Sequence, residues 1–117
     1  MKVIIAGSRD FIDYAKLKLV CDLTLKNQIN VEIISGTASG ADKLGERYAK
    51  EKGYPVKKFP ADWKKNGKAA GPIRNKQMAE YADGLIAFWD GKSRGTKSMI
   101  DLAKNHGLKI KIHPAML

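Results

Sequence analysis

Val3-Ile4-Ile5-Ala6-Gly7-Ser8-Arg9-Asp10-Phe11 is the stretch on which the fold turns. Four apolar residues in a row, three of them β-branched, followed at once by a glycine turn, read as a strand buried on both faces. That is how strands look in a parallel sheet covered by helices, whereas a half-exposed strand alternates apolar with polar. The pattern recurs. Apolar runs at 31–34, 55–59, 85–89 and 108–112 give, with 3–6, five strand candidates.

Between the runs lie amphipathic stretches at helical spacing: Tyr14, Leu17, Cys21 and Leu25; Ala41, Leu44, Gly45, Tyr48 and Ala49; Ile73, Met78 and Ala82; Thr96, Met99, Ile100, Ala103 and Gly107. Strict alternation of strand and helix predicts an α/β fold. The expected architecture is a single Rossmann-like three-layer domain over 1–117, with a five-stranded parallel sheet in the order 3-2-1-4-5 and helices on both faces. The last run, with Lys109 and Lys111 on one face and Leu108, Ile110 and Ile112 on the other, reads as an edge strand.

Composition narrows the function classes. At 117 residues the chain has the size of one domain. No segment approaches the roughly 20 apolar residues of a membrane span, so a soluble domain with no membrane partner is expected. The apolar run at the N-terminus is too short for a signal-peptide core. The lone Cys21 cannot form an internal disulfide, which suits a cytoplasmic location, and its place in a helix stripe reads as core. His106 and His113 have no ligand-spaced partners, so no metal site is expected, and neither a Ser-His-Asp nor a Cys-His arrangement is present. The charge of +10, from 22 basic and 12 acidic residues, favours polyanions in general. The lysines are spread along the chain without interleaved aromatics, which keeps nucleic acid an alternative rather than the leading reading.

In the expected strand order the switch point falls between strands one and four, where ligands collect at the carboxyl ends of the strands. The loops there are 7–11, 35–42 and 90–96. Ser35-Gly36-Thr37-Ala38-Ser39-Gly40-Ala41-Asp42 supplies two glycines and three hydroxyls before a helix, as a phosphate cradle would. The same residues would also make a tight strand-to-helix turn capped by Ser39 or Asp42. Arg9 is an anion contact or the ion-pair partner of Asp10 or Asp13. Arg94 reads as a solvated loop residue in preference to an anion contact. The segment 60–71 is long for a link, and its Trp63 either stacks on a base, with Lys68 near phosphate, or covers the sheet edge. Pro72 fits a first helical position, which would put Arg74 and Asn75 in the first turn. A cation there opposes the helix dipole and asks for an anion.

Together with Phe-Pro-Ala-Asp-Trp (59–63), Gly-Lys-Ala-Ala-Gly-Pro-Ile-Arg-Asn (67–75) and Ala-Asp-Gly-Leu-Ile-Ala-Phe-Trp-Asp-Gly (82–91), these loops resemble the YspA/YpsA-related branch of the SLOG superfamily, from about residue 3 to 112. The resemblance implies a domain that binds a nucleotide or a nucleotide-derived ligand, as a sensor or sequestering module. It is also similar to the LONELY GUY phosphoribohydrolases, through Arg74…Met78 and Gly95-Thr96. The position matching their catalytic glutamate is Met99, and Asp90-Gly91-Lys92-Ser93-Arg94 replaces their Pro-Gly-Gly turn. Methionine transfers no proton. The resemblance therefore implies no catalytic residue, with a phosphorylated nucleoside or NAD-derived ligand held by Gly7, Ser8, Arg9, Ser35, Gly36, Thr37, Ser39, Gly40, Asp42, Arg74, Asn75, Asp90, Gly91, Ser93, Gly95 and Thr96. No cofactor is required, although Mg²⁺ accompanying the phosphate is compatible with it, as is a homodimer. Two alternatives stand: nucleotide N-glycosidic hydrolysis, with Asp10, Asp42 or Asp90 as substitute carboxylate, and DNA binding, through a third relative, the DNA-processing A protein.

Overall fold

A computed structural model of the chain describes residues 1–115. Five strands, β1 (Lys2–Gly7), β2 (Glu32–Ser35), β3 (Val56–Lys58), β4 (Gly84–Trp89) and β5 (Lys109–Pro114), pair in parallel in the order β3-β2-β1-β4-β5. This is the order expected from the sequence. The helices are α1 (Tyr14–Leu25), α2 (Ala41–Lys52), α3 (Trp63–Asn66), α4 (Ala70–Tyr81) and α5 (Arg94–Asn105).

Alternation along the strands divides the core into two layers. Val3, Ile5, Ile33, Ile86 and Phe88 pack with Leu17, Cys21, Leu25, Tyr48 and Ala49 of α1 and α2. Ile4, Ala6, Ile34, Leu85 and Ala87 pack with Met78, Ala79, Met99, Ile100 and Ala103 of α4 and α5. β1 and β4 are therefore covered on both faces, which is why their sequences are apolar without interruption. Burial pushes the Cys21 thiol up to about 12, so the residue is inert core. No described helix is long and apolar enough to cross a membrane.

Local signals place the ends. The Asp13 side chain accepts from the Lys16 amide at 3.0 Å to start α1, and Gly53, at φ +75°, stops α2 in the left-handed conformation that glycine tolerates. β5 is the edge strand, with Lys109 and Lys111 exposed, but it runs on to Pro114, and Ile112 is exposed rather than covered.

The segment 60–71 corrects the sequence reading. It is not a long loop: Asp62 caps α3, accepting from the Lys65 amide at 3.1 Å, and a 3₁₀ turn at Gly67–Ala69 leads directly into α4. Pro72 is thus the third residue of α4 and Arg74 the fifth, so Arg74 is not in a first turn and the dipole conflict does not arise. Ile73 is 40% exposed; Gly71, Asn75, Met78 and Ala79 form the buried face instead. Residues 64–69 are solvent-facing apart from a half-buried Asn66, so they carry no apolar stripe from which a helix could be read.

Candidate functional site

The loops after β1 and β4 part at the carboxyl edge of the sheet, and a cavity of about 480 Å³ opens between them. Gly7, Ser8, Arg9 and Asp10 form one wall and Asp90, Ser93, Gly95 and Thr96 the opposite one. Ala6, Met78 and Met99 lie at the apolar floor, and Asp42, Arg74 and Asn75 complete the lining with Ala38. A second cavity of about 390 Å³ adjoins it, lined by Gly36, Thr37, Ser39, Ala61 and Trp63 together with Arg9, Ala38 and Arg74.

The loop expected to cradle phosphate spends much of its hydrogen bonding on the protein itself. The Thr37 amide donates to Ser35 Oγ at 3.0 Å, the Ala38 amide to Asp42 Oδ2 at 3.2 Å, and the Ala41 amide to the Ser8 carbonyl at 3.3 Å. Ser35 is buried and donates to Glu46 Oε2 at 2.6 Å. Gly40 lies against the backbone of Ser8 and Arg9 and lines neither cavity. Thr37 is β-branched yet sits at φ +65°, a strained conformation of the kind that clusters at ligand sites.

The β4–α5 loop is organised by Asp90. Its Oδ1 accepts from the Lys92 amide at 2.8 Å and the Ser93 amide at 2.7 Å, bonds that hold the carboxyl below the usual carboxylate range. Ser93 caps α5, its hydroxyl accepting from the Thr96 amide at 3.4 Å and lying 3.1 Å from Thr96 Oγ1. The Arg94 and Gly95 amides, in the first turn of α5, have no partner among the described residues, and a Cβ on Gly95 would meet open space. Gly91 lines neither cavity, and Arg94 is exposed away from both.

Arg74 is half-buried between α4 and the 35–42 loop. Its Nε donates to Asn75 Oδ1 at 2.9 Å and its Nη1 to the Gly36 carbonyl. Asn75 Nδ2 in turn donates to the Gly95 carbonyl at 3.3 Å, which ties α4 to α5. Burial lowers the Arg74 pKa, with the neighbouring Arg9 charge adding to that and Asp42 opposing it. Neither Arg9 nor Arg74 forms an ion pair with any described residue, so the suggested pairing of Arg9 with Asp10 or Asp13 is not present. Arg47, by contrast, bonds Glu51 at 3.2 Å and stacks on Tyr14. Asp42 is 6% exposed, and burial raises its pKa to about 6 against the opposing effects of the Ala38 amide and Arg74.

Of the residues picked from the sequence, the structure gathers Gly7, Ser8, Arg9, Asp42, Arg74, Asn75, Asp90, Ser93, Gly95 and Thr96 around the larger cavity and Gly36, Thr37, Ser39 and Trp63 around the smaller. Ser35 and Gly40 stand behind the walls, and Gly91 is exposed outside them. Ala6, Met78, Met99 and Ala61 were missed as lining residues. For Ala6 a signal existed, because a small residue at the end of a buried strand leaves room over the sheet edge.

The model of the YspA, cpYpsA-related SLOG family matches residues 1–66. That span carries the loops after β1 and β2 but neither Arg74 nor the loop after β4. The chain is 31% identical to the Gene 61 protein of Mycobacterium phage D29, over 93% of each chain. Among solved structures it superposes on DNA processing protein A (DprA) from Streptococcus pneumoniae with TM-score 0.78 and 21% identity, covering 99% of this chain and 51% of that one. It thus spans about half the length of the pneumococcal protein, and the likeness is one of fold. A predicted subunit of tRNA methyltransferase from Methanocaldococcus jannaschii matches at TM-score 0.49 and 18% identity, over 96% of this chain and 68% of that one. On the family model and the phage relative, the chain belongs to the YspA, cpYpsA-related SLOG family.

Proposed function

We propose, with membership of that family as the premise, that this chain is a nucleotide-binding domain, a sensor or sequestering module, that holds a phosphorylated nucleoside or NAD-derived ligand at the carboxyl edge of its sheet. The observation that carries the reading is the convergence of Arg9 and Arg74, from separate elements, on one cavity with no carboxylate among the described residues paired to either. Two fork-shaped cations converging this way match phosphate oxygens. The free amides at the start of α5 add donors of the same polarity. Ser93, Thr96 and Asn75 suit ribose hydroxyls, and Met78 and Met99 suit the apolar face of a base or sugar. Mg²⁺ accompanying the phosphate is compatible with carboxylates on both walls of the cavity, Asp10 on one and Asp90 on the other.

Calorimetry with AMP, ADP-ribose, NAD⁺ and cyclic dinucleotides tests the reading. Binding is expected to weaken about 10- to 100-fold in Arg74→Ala, the range of about 1.4–3 kcal/mol for a charge-assisted contact. Absence of binding by every one of these nucleotides at millimolar concentration overturns it.

One observation favours hydrolysis as a second reading. Asp42 is a buried carboxyl in the cavity whose pKa of about 6 would let it exchange a proton near neutrality, while Met99, also in the lining, cannot. Release of free base from AMP, abolished in Asp42→Asn, would support this; nucleotide recovered intact after prolonged incubation dismisses it. The net charge of +10 keeps DNA as a third reading. It predicts a steep loss of binding with salt that mononucleotides do not compete.

A further inference from the structure

The two cavities meet at one place. Arg9, Ala38 and Arg74 belong to both linings, and no other described residue does. Away from that shared wall the chambers differ in chemistry. The larger presents hydroxyls and a carboxamide above a thioether floor, through Ser93, Thr96, Asn75, Met78 and Met99. The smaller presents an indole. Trp63 is 53% exposed, and its Cη2 rests 3.6 Å from where a Cβ would stand on Gly71, so the ring lies low against α4 with much of its surface open.

The volumes of about 480 and 390 Å³ each fall at the lower end of the range for small-molecule sites. Each has room for one nucleoside or sugar. A mononucleotide whose phosphate sits on the arginines fills one chamber and leaves the other to water. A ligand with its anionic groups in the middle fills both. The boundary is also set in advance: Arg74 is fixed from one side by Asn75 Oδ1 and from the other by the Gly36 carbonyl. Only a glycine at 36 permits this, because a Cβ there would lie 2.8 Å from both Arg74 Nη1 and Asp42 Oδ2. A guanidinium already held in place loses little freedom when a ligand arrives.

We propose that the ligand is two-armed: two nucleoside or sugar arms joined through a pyrophosphate that lies between Arg9 and Arg74, with one arm in the larger chamber and the other stacked on Trp63. This rests on the nucleotide-binding reading above and names the ligand class within it. Calorimetry of the full chain with AMP, ADP-ribose and NAD⁺ is the test, repeated on Trp63→Ala, Trp63→Phe and Thr96→Val, with circular dichroism to verify folding. ADP-ribose or NAD⁺ is expected to bind at least about 10-fold more tightly than AMP. At least one of them should weaken in both Trp63→Ala and Thr96→Val, by about 10-fold in the former, with most of that loss restored in Trp63→Phe. AMP should be affected by only one of the two truncations. The proposal is overturned if AMP binds within about 2-fold of both larger ligands, or if neither larger ligand is affected by Trp63→Ala. Absence of binding by all three, AMP included, would instead bring down the nucleotide reading itself.

Discussion

Asp42 shows how far one residue's setting departs from its type. It stands in the first turn of α2, where a carboxylate is normally favoured, yet burial raises its pKa from 3.8 to about 6. A raised acid favours folding in its protonated form: the contribution is complete below pH 3.8 and is lost as pH rises through about 6. Asp42→Asn keeps an oxygen for the Ala38 amide and removes that loss. It should raise Tm at pH 8, by up to about 3 kcal/mol of stability at about 1.4 kcal/mol per pKa unit, and leave Tm nearly unchanged at pH 4. Thermal melts of both proteins across this range measure it. Two glycines separate stability from binding. At Gly40, φ is +77° and a Cβ would lie 2.3 Å from the Ser8 carbonyl oxygen, so Gly40→Ala should cost more than about 2 kcal/mol in urea unfolding. Gly36→Ala meets the side-chain ends of Arg74 and Asp42 rather than backbone, so it should weaken ADP-ribose binding far more than it lowers Tm.

At the scale of elements, α5 carries much of the site's geometry. Ser93 caps it, Asp90 shapes the turn before it, and Asn75 of α4 reaches its Gly95 carbonyl. Ser93→Ala should cost about 1 kcal/mol and, by loosening the first turn, weaken nucleotide binding as well; denaturant melts and calorimetry on one preparation read the two effects. Amphipathic helices such as α2 and α5 are legible because their buried stripes repeat at helical spacing. The α3 segment is not, because it is held by capping at Asp62 and by continuity with α4 rather than by an apolar face. The mistaken start of α4 followed from Pro72, which suits a first turn but is also tolerated within the first few positions, before its missing amide is needed.

The whole molecule carries 22 cations against 12 anions, and among the described residues only a few pair: Lys43 and Lys58 with Glu46, Arg47 with Glu51, Lys52 with Asp22, and Lys97 with Asp101. Self-repulsion on this scale is screened by salt, so raising NaCl from 20 to 300 mM should raise Tm, as scanning calorimetry would show. The sequence by itself determined the sheet, its strand order and the edge at which the two cavities open, because doubly buried strands must be continuously apolar and right-handed crossovers allow few arrangements. It also picked out most of the lining, since the loops after β1, β2 and β4 meet at that edge. Only the tertiary structure decided what those groups do. The loop amides that looked free for phosphate are taken by Ser35, Asp42 and Ser8, while Arg9 and Arg74, distant in sequence, are left without an ion-pair partner among the described residues at the boundary of two cavities. Hydrogen-bond satisfaction and burial belong to atoms that meet in space, and no local pattern of residue types encodes which donors will still be free when the chain has closed around them.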